Sequence, residues 1–235
     1  MSFRTKVAVL GAVLLGCLAL SAQGNNPGPA MPAITPVITF DRVWEAYTPQ
    51  NFNITVQSDG TAKYLSRNPI QPPPEDGPDS DYTLEFTMSR GNCGKLFRYA
   101  AEANYFSGDF SYKKHPISST GKKTLTYADP ARHFETTYDY SENKAIQEIT
   151  DMFLGLSNTI EHGRKLQFLH RYDKLGLEDE LKAMESAAEN HNLVEIQVIA
   201  PTLENIANDA SVLNIARQRA KRLLVKAASE IKGLT

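Results

Sequence analysis

The sequence predicts an α+β fold: an N-terminal antiparallel β-sheet with one short helix, followed by a C-terminal α-helical bundle. Two observations carry this. Before Ser141 apolar residues recur at every second position, and after it they recur every three or four. Between the periodic stretches lie short clusters of Gly, Pro, Asn and Asp, the residues that turn a chain.

Taken in order, the chain opens on MSFRTKVAVLGAVLLGCLALSAQG. Arg4 and Lys6 precede an uncharged apolar run from Val7 to Leu20, and small residues follow at Ser21 and Ala22. The run is shorter than the ~20 residues that cross a bilayer. Charge, apolar stretch and small-residue exit together predict a signal peptide over 1–22. Leu14-Leu15-Gly16-Cys17 resembles the lipobox of bacterial lipoproteins, which would lipidate Cys17 and anchor the chain. Leu15 is large for that motif and the apolar run continues past the cysteine, so cleavage near Ala22 fits better. Membrane attachment is expected only if Cys17 carries a lipid.

Residues 23–36, QGNNPGPAMPAITP, predict a flexible tether. Residues 37–140 predict the β-rich domain, interrupted by a Pro-rich loop at 69–81. Within it Phe52, Ile54 and Val56 alternate with polar residues, Ser58-Asp59-Gly60 supplies a turn, and Thr61 to Leu65 run back as a hairpin. Tyr82, Leu84, Phe86 and Met88 mark a half-buried strand. Residues 95–106 predict the short helix, with Leu96, Tyr99, Ala100 and Ala103 on one side.

Gly121-Lys122-Lys123-Thr124 looks like the end of a phosphate-binding loop. That loop needs Gly-x4-Gly-Lys-Ser/Thr, with a strand before it and a helix directly after. Here the first glycine is missing, a lysine is inserted, and period two continues through Lys123, Leu125 and Tyr127. The stretch therefore predicts a strand start. After the turn at 129–132, Phe134, Thr136, Tyr138 and Tyr140 return as the second arm of a hairpin.

Residues 141–235 predict the helical bundle. One stripe runs through Ile146, Ile149, Phe153, Leu156 and Ile160, with Gly163 as an end or bend. Others follow at Leu177 to Ala188, at Ile196 to Ile206 around Pro201, and at Leu213 to Ala227. Ser141 is expected to cap the first of these helices.

The formal net charge is −2 and becomes −4 once Arg4 and Lys6 leave with the leader, so no basic field favours nucleic acid. Cys93 then remains as the single cysteine, expected as a small buried hydrophobe. His162 and His170 stand eight apart, ~12 Å along a helix, too far to share one ion. No metal or cofactor is expected. Ser-x-x-Lys recurs four times, Ser141/Lys144 among them, without the companion motifs of acyl-transfer enzymes. Aromatic residues crowd 97–140 and read as a tyrosine-rich core.

These residues name no reaction. The favoured reading is an exported bacterial cell-envelope or secreted protein that binds an envelope partner or ligand without catalysis. The basic last helix, with Arg217, Arg219, Lys221, Arg222 and Lys226, is its candidate partner face. The alternative is a periplasmic hydrolase at the sheet–bundle junction, using His133 with Glu135 or Asp139, which alternation places on one strand face.

Overall fold

A computed structural model describes residues 35–67 and 81–233. The leader, the tether up to residue 34 and the Pro-rich stretch 69–80 lie outside the described residues. As the sequence predicts, a sheet comes first and helices follow.

Six strands form one antiparallel sheet: β1 (Val37–Val43), β2 (Asn51–Gln57), β3 (Thr61–Arg67), β4 (Tyr82–Thr87), β5 (Lys122–Ala128) and β6 (His133–Tyr138), in the order β4-β3-β2-β1-β5-β6. Each connection joins neighbours except the one from β4 to β5, which brings β5 beside β1. In the β2–β3 turn Gly60 takes φ +93°, and Asp59 accepts from the Thr61 amide at 2.8 Å. The Gly-Lys-Lys-Thr stretch is the start of β5, as expected.

The inward residues fall into three rows that cross all six strands. Phe86, Ala62, Val56, Ile38, Tyr127 and Phe134 form one row, and Leu84, Tyr64, Ile54, Phe40, Leu125 and Thr136 the next. The third row is Tyr82, Ser66, Phe52, Arg42, Lys123 and Tyr138, and it is mostly polar.

Helices α1 (Arg90–Glu102) and α2 (Lys144–Tyr172) cover these rows. Ser89 caps α1 and Asn143 caps α2, accepting from the Ile146 amide at 3.1 Å. Ser141, expected in that role, instead accepts from the Asn143 amide at 3.2 Å, because the helix starts two residues further on. A short 3-10 turn, Asn104–Phe106, follows α1.

α2 is long enough to serve two cores. Its first half, through Ile160, packs on the sheet, while Leu166 joins a second cluster with α3 (Leu177–Glu189), α4 (Ala200–Asn208) and α5 (Asn214–Gly233). A 3-10 turn at Ile196–Ile199 leads into α4, and Pro201 sits in its first turn. Gly163 neither ends nor breaks α2. It lets Ile199 approach the helix backbone, where an added Cβ would lie 2.3 Å from Ile199 Cγ2.

Candidate functional site

The polar third row runs beneath α2, and there, among the described residues, a buried cation lacks a carboxylate partner. In β1 the alternation that buries Ile38 and Phe40 also turns Arg42 inward, leaving it 5% exposed. Lys123 on β5 is its direct cross-strand neighbour and is 3% exposed. Two cations thus face the same way, side by side, on the buried face of the sheet.

The chain treats them differently. Lys123 Nζ donates towards Thr120 O (3.1 Å), Thr120 Oγ1 (2.9 Å), Gly121 O (2.9 Å) and Asp139 O (2.7 Å). An ammonium has three protons, so these oxygens saturate it. Burial pushes its pKa down to about 8; Asp139 opposes and Arg42 adds to the fall.

Arg42 has no such cradle. Its guanidinium lies over Trp44 at 4.7 Å and Tyr47 at 4.3 Å, and these two rings stack at 5.7 Å. Its Nε is buried without an acceptor, and among the described residues no carboxylate lies within ion-pair reach. Burial lowers its proton affinity while Tyr47 works in the other direction; the arginine remains charged at neutral pH.

A second buried arginine shows what compensation looks like. Arg164 on α2, under the other end of the same row, donates to Ser66 Oγ (3.2 Å) and Glu161 (3.4 Å) and lies over Tyr82 at 5.3 Å. Glu161 in turn accepts from Tyr64 at 2.7 Å. Buried arginines are almost always paired in this way. Arg42 is the departure.

Arg42 opens onto a pocket of about 550 Å³, walled by Trp44, Tyr138, Tyr140 and Leu154 and edged by Asp139, Gln147 and Asp151. That volume falls within the range of ~300–1,000 Å³ usual for small-molecule sites. Its floor is fixed: Tyr138 Oη and Thr150 Oγ1 are 2.6 Å apart, and Thr150 also donates to Ile146 O. Asp139 accepts from the Thr120 amide (2.7 Å) and hydroxyl (2.8 Å). Burial pushes its carboxyl up, but bonds from Ser119 and Thr120 and the charge of Lys123 outweigh this and leave it below its ordinary range. Asp151 behaves oppositely: partial burial, with Glu148 nearby, holds its carboxyl above the ordinary range.

The residues singled out in the sequence lie elsewhere, apart from Asp139. His133 and Glu135 are exposed on the outer face of β6, where Thr126 Oγ1 donates to Glu135 at 3.4 Å. Asp139 lies beyond the strand end and turns towards Thr120 and the pocket. On α5, Arg219 binds Glu185 and Glu178, Arg222 binds Glu185 at 2.8 Å, and Lys226 donates to Ala188 O, all on or beside α3. Arg217 reaches Asn214 at 3.4 Å, and Lys221 is exposed. Cys93 is buried, its thiol near Gln57 O and Ser58 O, and burial raises its pKa. No described helix is long and apolar enough to cross a membrane.

Fold and pocket together describe a helix-covered antiparallel sheet with an aromatic-walled cleft lined by two buried cations and two carboxylates. No protein-family model matches the chain, and a search of curated proteins finds no significant match.

Proposed function

We propose that this chain is an exported cell-envelope or secreted protein that binds a ligand without catalysis, and that the ligand presents an anionic group to Arg42. The observation that carries the reading is the guanidinium itself, nine-tenths buried, lacking a carboxylate, and set in the wall of an accessible pocket. An unmet buried donor costs ~1–3 kcal/mol, more when charged. A carboxylate or similar group from a ligand would remove that cost and form a charge-assisted bond.

Binding is favoured over chemistry because the amine and hydroxyl groups beside Arg42 that could serve as nucleophiles are held in structural bonds. Lys123 is saturated by oxygens, Thr150 bonds Ile146 O, and Thr120 bonds Asp139. Export rests on Arg4, Lys6, the apolar run and Ala22.

Trp44 is the single tryptophan of the chain and touches Arg42, so its fluorescence reports on this pocket alone. Titration with benzoate, acetate, inorganic phosphate and sulfate is expected to give a saturable change with at least one of them, lost in Arg42→Met. A Trp44 signal indifferent to every anion, or equal in Arg42→Met, overturns the reading. Mass spectrometry of the product recovered outside the cytoplasm tests export; a chain found only in the cytosol with residues 1–22 intact overturns that half.

A further inference from the structure

The Arg42 pocket holds a second charge without a partner. Asp151, on the face of α2 that borders the cleft, forms no hydrogen bond or ion pair among the described residues, and it does not pair with Arg42 although both line the same cavity. The remaining ionised groups are already engaged: Lys123 by its oxygens and Asp139 by Thr120. What stays open is one cation deep in the pocket and one carboxylate at its rim.

We infer that the ligand is a zwitterion of amino-acid type, its carboxylate seated on Arg42, its ammonium on Asp151, and an apolar body against Trp44 and Leu154. This rests on the anion-binding reading above and narrows it. A dianion such as phosphate would meet one free guanidinium while an unpaired carboxylate stood in the lining of the same pocket. A simple carboxylate would satisfy Arg42 and leave Asp151 repelling it. Only a ligand bearing both signs compensates both groups, and discrimination of this kind comes from the repulsive group as much as the attractive one. Asp151 also borders an adjoining concavity shared with Glu148 and Lys95. Glu148 adds negative charge on the same helix, which favours an ammonium at this rim. The wall fits the remainder: Trp44 is half-buried, and Leu154 lies one turn of α2 beyond Asp151.

Three probes with the same phenyl body separate the possibilities: L-phenylalanine, 3-phenylpropionate and 2-phenylethylamine, titrated by calorimetry and by Trp44 fluorescence. L-Phenylalanine is expected to bind roughly tenfold or more tighter than 3-phenylpropionate, the worth of one charge-assisted hydrogen bond. Asp151→Asn, a change at the rim of the pocket, is expected to erase that difference by weakening L-phenylalanine and by leaving 3-phenylpropionate bound as tightly as before or more tightly. Arg42→Met is expected to abolish binding of both. Equal or tighter binding of 3-phenylpropionate by the parent protein overturns the zwitterion while leaving the anion site standing. So does benzoate or phosphate binding in the absence of any response to L-phenylalanine. Failure of every anion and of L-phenylalanine alike overturns both readings.

Discussion

Arg42 and Lys123 stand directly opposite one another on β1 and β5, both turned into the protein. Like charges directly opposite one another destabilise a sheet. The neighbouring row puts Phe40 against Leu125 in the equivalent place, which is what a core ordinarily requires. Lys123 has a structural explanation, since it ties Thr120 and Gly121 to Asp139 across the edge of the sheet. Among the described residues Arg42 has only the rings of Trp44 and Tyr47 and no carboxylate, and that asymmetry makes it the functional candidate.

Stability measurements test this asymmetry directly. Arg42→Met gives up aromatic contacts worth ~0.5–2 kcal/mol and relieves an unmet donor costing ~1–3 kcal/mol. The variant is therefore expected within about 1 kcal/mol of the parent in urea denaturation, or above it. Arg164→Met strips Glu161 of its cation and is expected to lose ~3 kcal/mol. Losses of equal size in the two variants would make Arg42 an ordinary structural arginine.

Lys123 should leave its mark on the pH dependence of folding. Its folded pKa is about 8 against an ordinary 10.5. Between those values the unfolded chain binds more protons than the folded one, so stability from this group rises with pH. The penalty for burying its charge is present in full below pH 8 and relieved towards pH 10.5, at no more than ~1.4 kcal/mol per pH unit. Lys123→Met should flatten that limb of the curve. A parent protein whose stability is level or falling there because of Lys123 contradicts the assignment.

Most elements were legible because burial in this fold follows spacing. Phe52, Ile54 and Val56 are core, the Asp59-Gly60 turn is where the alternation breaks, and Ile146 to Ile160 line one side of α2. β1, the strand that carries Arg42, was not singled out, because an arginine in its third inward position interrupts the apolar set. The start of α1 was placed at Lys95 rather than Arg90, since Gly91 and Gly94 weaken the helical signal, while Glu195 supports that first turn from 106 residues away. The site itself was illegible for a related reason. Whether an inward arginine is paired depends on which row of the sheet ends under which turn of α2, and no local pattern encodes that.

Gly163 was readable as a helix end, and its true role is close packing. Alanine there gains up to ~1 kcal/mol of helix propensity. Its Cβ would lie 2.3 Å from Ile199 Cγ2 and 3.0 Å from Ile199 Cβ, on a residue that is itself buried. Overpacking of this kind costs ~1–3 kcal/mol, so Gly163→Ala is expected to lower stability despite the better helix former. Gly163→Ala with Ile199→Ala, which removes the crowding Cγ2, should cost less than the sum of the two single changes. A single variant more stable than the parent would mean that Ile199 can move aside.

Glu195 links the two cores and gives the most local of these tests. It is 1% exposed, sits in left-handed backbone at φ +62°, and accepts from the Ser89 amide (2.9 Å), Ser89 Oγ (2.5 Å), Asn92 Nδ2 (2.7 Å) and Gln197 Nε2. Its carboxylate therefore supplies acceptors and negative charge at the start of α1, where a helix favours both. Glu195→Gln keeps the size, removes the charge and leaves one acceptor oxygen, pointing an NH2 that only donates at the donors of the other. We expect a loss of ~2–3 kcal/mol, in line with hydrogen bonds to a charged group. Amides in the first turn of α1 should also exchange faster than those in the middle of α2. Unchanged protection around Asn92, with stability intact, would show that the Ser89 cap holds α1 without help from the helical region.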